Sequence, residues 1–182
     1  MKDVIKSVLL IETVTPSLVL ATDFSGARIG LGYSQTELLI EQNEQDLFDG
    51  DYGQGIKLEL ANDFNRYLGI SAAYIGNQGS VESSDIEGVS KRLGFDLGYL
   101  FSVQSASIKP YAQLGYQSYK EESGSGFDKS QRVREYSAFY GAGLRFYYQH
   151  FYSDLSVSYF NFEEFSADYQ FQQVALSLGY KF

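Results

Sequence analysis

The sequence predicts an all-β chain: an eight-stranded antiparallel up-and-down transmembrane β-barrel. Three observations predict it. Segments of strict period-two alternation, apolar on one face only, recur along the 182 residues. The connections between them alternate long and short, the profile of a membrane barrel. The second face is mostly Gly, Ser and Ala with scattered single charges, not the Lys, Glu and Thr of a soluble surface.

The closing segment shows the pattern most clearly. Val174, Leu176, Leu178, Tyr180 and Phe182 alternate with Gln173, Ala175, Ser177, Gly179 and Lys181. Its apolar side is aliphatic inside and aromatic at the end, matching the hydrocarbon and the interface of a bilayer. From the start, strand one sets Ala27, Ile29, Leu31 and Tyr33 against Arg28, Gly30, Gly32 and Ser34, with Leu38 and Ile40 as its continuation. Glu41 to Asp51 is acidic and aperiodic, hence a loop. Strand two sets Ile56, Leu58 and Leu60 against Lys57, Glu59 and Ala61. Asn62-Asp63-Phe64-Asn65 reads as a tight turn. Strand three has Leu68, Ile70, Ala72 and Tyr74 on one face, and Gly76 to Gly88 is the next loop.

Strand four is expected to run unbroken from Val89 to Phe101, with only Lys91 interrupting its apolar face near the loop. Gln104-Ser105-Ala106 is a short turn. Strand five, opened by Pro110, carries Ala112, Leu114 and Tyr116. Lys120 to Arg134 is the longest and most charged loop. Strand six, Tyr136 to Phe146, precedes a short turn at Tyr148-Gln149. Strand seven sets Leu155, Val157 and Tyr159 against Asp154, Ser156 and Ser158, and Asn161 to Asp168 is the last loop.

Composition bounds the rest. Tyr 16, Phe 14 and Gly 18 with Pro 2 favour strands over helices, and Cys 0 excludes disulfides and thiolate metal sites. A net charge of −9 argues against nucleic-acid binding. Met1 to Ala21 is expected to be a signal peptide, with Lys2 and Lys6 before an apolar Ser7–Leu20 and a cleavage site at Ala21. Asp3, Glu12 and Pro16 depart from the ideal. Residues 22–182 are the barrel domain.

Alternation alone does not say which face points inward. A soluble barrel would line a cavity for a hydrophobic ligand with its apolar face. The small-residue face instead suits the crowded interior of a narrow barrel. Arg28, Glu59, Asp96, Arg145 and Asp154 then fall in the middle or short-turn part of the lumen, and buried charges must pair. These five are expected to form an internal salt-bridge network. With Arg28, Arg92 and Arg145 inside, no general diffusion channel is expected. Tyr33, Tyr74, Tyr99, Tyr116, Tyr140 and Tyr159 read as an interfacial girdle.

Three motifs carry a family resemblance: V-A-L-S-L-G-Y-K-F at 174–182, Y-G-A-G-L-R-F at 140–146 and P-Y-A-Q-L-G-Y at 110–116. Across residues 22–182 the chain resembles the small eight-stranded bacterial outer-membrane barrels of the OmpA transmembrane-domain and OmpX/Ail type. The resemblance implies an outer-membrane location and a monomer in contact with lipid and lipopolysaccharide. It also implies that the barrel-assembly machinery recognises Tyr180 and Phe182. The sequence ends at the barrel, so the peptidoglycan-binding domain of OmpA is not expected. A structural, adhesive or host-binding role through the loops 41–51, 76–88, 120–134 and 161–168 is implied, and no motif selects one.

Some small outer-membrane barrels modify lipid A, so an enzyme is the alternative. The single histidine, His150, lies near Ser153 and Asp154. On strand geometry Ser153 faces lipid while the other two face away, so no catalysis is expected. Two acidic clusters, Glu41, Glu44, Asp46, Asp49 and Asp51, and Glu82, Asp85 and Glu87, lack the spacing of a cation loop. No metal or cofactor is expected.

Overall fold

The computed structural model describes residues 24–42, 45–81, 84–125, 128–164 and 167–182, with side chains placed outside the hairpin ends 39–49, 51, 80–86, 122–133 and 162–168. The segment read as a signal peptide lies outside the described residues. The alternating segments form β1 (Gly26–Gln42), β2 (Gln45–Asp63), β3 (Leu68–Val81), β4 (Ser84–Gly98), β5 (Phe101–Val103), β6 (Ala106–Ser125), β7 (Asp128–Tyr148), β8 (Phe151–Glu164) and β9 (Ala167–Lys181). Neighbours in the chain pair antiparallel, β1 pairs with β9, and β4 pairs with β6, which closes the sheet.

β4 and β5 both pair with β6, so they make one stave of an eight-stranded barrel. The sequence predicts a continuous strand here. It breaks because the β2–β3 turn reaches across: the Gly98 and Leu100 amides donate to the carbonyls of Tyr67 and Arg66, at 2.9 and 3.1 Å. That turn is shaped by Asn65, whose Oδ1 accepts from the amides of Tyr67 and Leu68 at 2.8 and 2.9 Å.

The other short turns are two-residue hairpins at Gln104-Ser105 and Gln149-His150. Ala106 and Tyr148, expected in turns, pair with each other instead. Gln104 and Gln149 both adopt φ 54°, a left-handed conformation that a side chain disfavours. Gln104→Gly and Gln149→Gly are each expected to stabilise the barrel by a few tenths to about 1 kcal/mol. Urea unfolding in lipid vesicles checks this.

The four stretches read as loops are largely strand. β1 and β2 pair up to Gln42↔Gln45, β3 and β4 to Val81↔Ser84, β6 and β7 to Ser125↔Asp128, and β8 and β9 to Glu164↔Ala167. Alternation marks a strand only where one face is apolar and the other is not. Beyond the apolar belt backbone pairing continues without that contrast, so the pattern disappears while the strand does not. The tips themselves lie outside the described residues.

Pairing between hairpins is uneven at this end. The β1–β9 ladder continues to Glu41↔Asp168 and the β4–β6 ladder to Asp85↔Gly124. The β2–β3 ladder stops at Gln54↔Gln78 and the β7–β8 ladder at Phe139↔Phe160. Above the body, the strands therefore group as two four-stranded sheets, β8-β9-β1-β2 and β3-β4-β6-β7.

The outer wall carries the aliphatic residues. Leu58, Leu114, Leu176 and Leu178 are 53–64% exposed. Two aromatic rings bound this belt. Tyr33, Tyr74, Tyr116, Tyr140 and Tyr159 stand toward the long hairpins. Tyr67, Tyr99, Phe101, Tyr148, Phe151 and Tyr180 stand toward the short turns, so Tyr99 belongs to the ring opposite the other predicted girdle tyrosines. Along β8 the rings are separated by the run from Phe151 to Tyr159, roughly 26 Å of strand. A continuous apolar belt of this size has no place in water. The apolar-cavity alternative is thereby overturned, because the apolar face is the outer one.

Candidate functional site

The lumen is filled in layers. At the short-turn end Leu100, Tyr147 and Tyr152 cluster with Phe24. At the long-hairpin end Leu38, Tyr52, Tyr119, Phe139, Phe160 and Phe171 form a second apolar layer. Between them lie the charges.

Inward glycines make room for inward rings. A Cβ on Gly143 would meet the Tyr111 ring at 2.4 Å, and one on Gly94 or Gly115 would meet Phe139 at 2.8 or 2.7 Å. Likewise, a Cβ on Gly30 would lie 2.3 Å from the Tyr152 hydroxyl. The small-residue face is thus the negative of the aromatic side chains packed against it.

The charge layer contains all five sequence-predicted residues. Arg28 meets Glu59 at 3.2 Å and Asp96 at 3.6 Å. Arg145 meets Asp154 at 2.7 Å and Asp96 at 3.4 Å. All five side chains are buried. Sequence reasoning missed Asp63, Lys109, Lys57 and Lys181. Asp63 takes Arg28 at 3.0 Å, Lys109 and Lys181 at 3.7 Å each, and Arg145 at 3.8 Å. Lys109 also pairs with Asp96, and Lys57 with Glu59 at 2.8 Å. The signal was parity. Asp63 keeps the inward register of Glu59 and Ala61, Lys109 that of Tyr111, and Lys181 that of Gly179.

Tyrosines complete the coordination. The Tyr111 hydroxyl donates to the Asp154 carboxylate at 2.9 Å, and the Tyr147 hydroxyl to Asp63 at 2.8 Å. The Arg145 guanidinium lies 4.6 Å from the Tyr111 ring centre. Together these contacts satisfy charges that would otherwise cost several kcal/mol each.

In the apolar layer at the long-hairpin end, the Tyr52 and Tyr119 hydroxyls lie 2.6 Å apart, and Tyr119 donates to Glu121 at 3.0 Å. Tyr52 also donates to Glu121. Tyr52 is on one of the two four-stranded sheets and Tyr119 and Glu121 on the other, so this knot ties them together. Both phenols lie beyond the tyrosine ring, outside the membrane-spanning segments. Burial first, and then the neighbouring acidic groups, push both hydroxyls well above the usual tyrosine range. They therefore act as donors to Glu121.

The alternative catalytic group is not assembled. His150 is exposed in the β7–β8 turn, with Nδ1 3.2 Å from the Lys181 carbonyl and its ring stacked on Tyr180. Asp154 is buried in the lumen, on Arg145 and Tyr111. Among the described residues no three His, Asp or Glu side chains are placed to hold a metal ion. Of the acidic loop candidates, only the Glu87 side chain is among those described. Tyr180 and Phe182 are outward, on the short-turn ring, 5.1 Å apart between ring centres.

The barrel matches known proteins. The Ail attachment invasion locus protein of Yersinia pestis is 22% identical, with 86% of this chain and 99% of Ail covered at a TM-score of 0.59. The outer membrane protein OprG from Pseudomonas aeruginosa is 14% identical, with 86% and 96% covered at 0.58. Neisserial surface protein A is 16% identical, with 86% and 99% covered at 0.54. At these identities the likeness establishes the fold. No curated protein matches the sequence. The model of the outer membrane protein beta-barrel domain matches residues 8–182. With that match over nearly the whole chain, and an apolar belt between two aromatic rings, the protein belongs to the outer membrane protein beta-barrel domain family and resides in the bacterial outer membrane.

Proposed function

We propose that this outer-membrane barrel is a surface-binding protein: a filled, non-catalytic monomeric scaffold that holds its long hairpins outside the cell. The short turns, the start of β1 and the end of β9 then face the periplasm. Lipid and lipopolysaccharide surround the belt, and Tyr180 and Phe182 are the segment offered to the barrel-assembly machinery.

One observation carries this reading. Beyond the belt, among the described residues, Asp128–Ala138 of β7 ladder with β6 alone, and Gln45–Asp51 of β2 with β1 alone. Each is a sheet edge standing clear of the membrane, and such an edge accepts an extended segment of a protein partner by strand addition. The Ail relative is an attachment protein by its name, and one of its structures is a complex with the heparin analogue sucrose octasulfate. A net charge of −9 makes a sulfated polyanion a poor match here, so the partner proposed is a protein.

An epitope inserted at Ser125 is expected to be labelled on intact cells. Trimming the β6–β7 hairpin is expected to reduce capture of serum or matrix proteins several-fold, with the barrel's folded gel mobility unchanged. An unlabelled epitope would overturn the orientation. Unchanged capture would overturn the binding role.

A further inference from the structure

The lumen charges do not balance at one place. Arg28, Lys57, Lys109 and Arg145 match Asp63, Glu59, Asp96 and Asp154 one for one. Lys181 stands at the periplasmic mouth, partly exposed, where counter-ions reach it. Arg92, also half-buried, lies deeper in the lumen and has no carboxylate partner among the described residues. Its Nε donates to Gln117 at 2.7 Å and its Nη1 to Ser158 at 2.9 Å, both neutral partners. Its Nη2 is buried with no hydrogen-bond partner. The Phe139 and Phe160 rings, 5.0 and 5.2 Å from the guanidinium carbon, offer only partial compensation.

Arg92 borders an internal cavity of about 20 Å³, lined also by Lys57, Gln113, Ser158 and Gln173. The carboxylate on this cavity, Glu59, is already met by Arg28 and Lys57. The cavity therefore combines an uncompensated guanidinium, a second cation and two amides that can turn N–H groups inward. Its volume leaves room for a small anion such as a monatomic halide.

We infer that this cavity is an anion site that takes one chloride-sized ion, held by Arg92 and enclosed when the barrel closes. The ion supplies the negative charge that the sequence withholds. It also meets Nη2, the guanidinium nitrogen left over after Gln117 and Ser158.

Bromide is the probe. Crystals of protein refolded in sodium bromide are expected to show an anomalous peak in the cavity, in contact with Arg92. Water there in place of bromide, or peaks on the outer surface only, would overturn the proposal. In detergent, protein refolded in chloride is expected to unfold at a higher temperature than protein refolded in gluconate at equal ionic strength. The difference should grow with the logarithm of chloride concentration. Arg92→Gln is expected to abolish it. Equal midpoints in the wild type, or an undiminished difference in Arg92→Gln, would count against the site. If Arg92→Gln does not fold, the bromide map of the wild-type protein decides alone.

Discussion

Asp63→Asn is expected to destabilise the folded barrel by about 3–5 kcal/mol, the largest effect of any single polar substitution in the lumen. Asp63 is in reach of four cations, Arg28, Lys109, Arg145 and Lys181, and accepts from Tyr147. Asparagine keeps the shape and removes the charge. Lys109 and Arg145 retain Asp96, and Arg28 retains Glu59, but the layer then holds five cations against the three carboxylates Glu59, Asp96 and Asp154. Removing a cation should restore part of the loss. The Asp63→Asn/Lys181→Gln double variant is expected to be more stable than the sum of its singles by about 1 kcal/mol or more. Tyrosine fluorescence during urea unfolding in vesicles measures both. A loss below about 1 kcal/mol for the single variant would show that the network is solvated.

Gly143→Ala is expected to cost about 1–3 kcal/mol. On an exposed strand the same change is mild. Here the new methyl lands 2.4 Å from the Tyr111 ring. Tyr111 has little freedom to yield, because its hydroxyl holds Asp154 and its face carries Arg145. Displacing the ring therefore loosens the charge layer. The discriminating measurement is a double-mutant cycle. In a Tyr111→Leu background the alanine is expected to cost much less. An equal cost in both backgrounds would place the clash on the backbone.

The fold was legible because membrane strands advertise themselves. Leu58 against Glu59, or Leu176 against Ser177, marks an inside and an outside within two residues. The ion-paired set was legible in part, for the same reason. Arg28, Glu59, Asp96, Arg145 and Asp154 sit within strongly alternating runs. Asp63 was hidden by its company: beside Asn62 and Asn65 an aspartate reads as a turn former, and only its parity places it in the lumen. Lys109 precedes a proline where the strand seemed not to have begun. The two upper sheets left no trace at all. Once both faces of a strand meet water, side chains are no longer sorted by solvent, and pairing is written only in the backbone.

The charge layer draws on β1, β2, β4, β6, β7, β8 and β9, from Arg28 near the start of the first strand to Lys181 at the end of the last. Some hairpins are neutral by themselves, β1–β2 with Arg28, Lys57, Glu59 and Asp63 and β7–β8 with Arg145 and Asp154, but Asp63 meets Lys109, Arg145 and Lys181 only across the lumen. A partly zipped sheet lacks those cross-lumen contacts, which form only as its concave side curls shut. The completed cylinder, once its last strand brings Lys181 beside Asp63, therefore holds contacts that no single hairpin possesses.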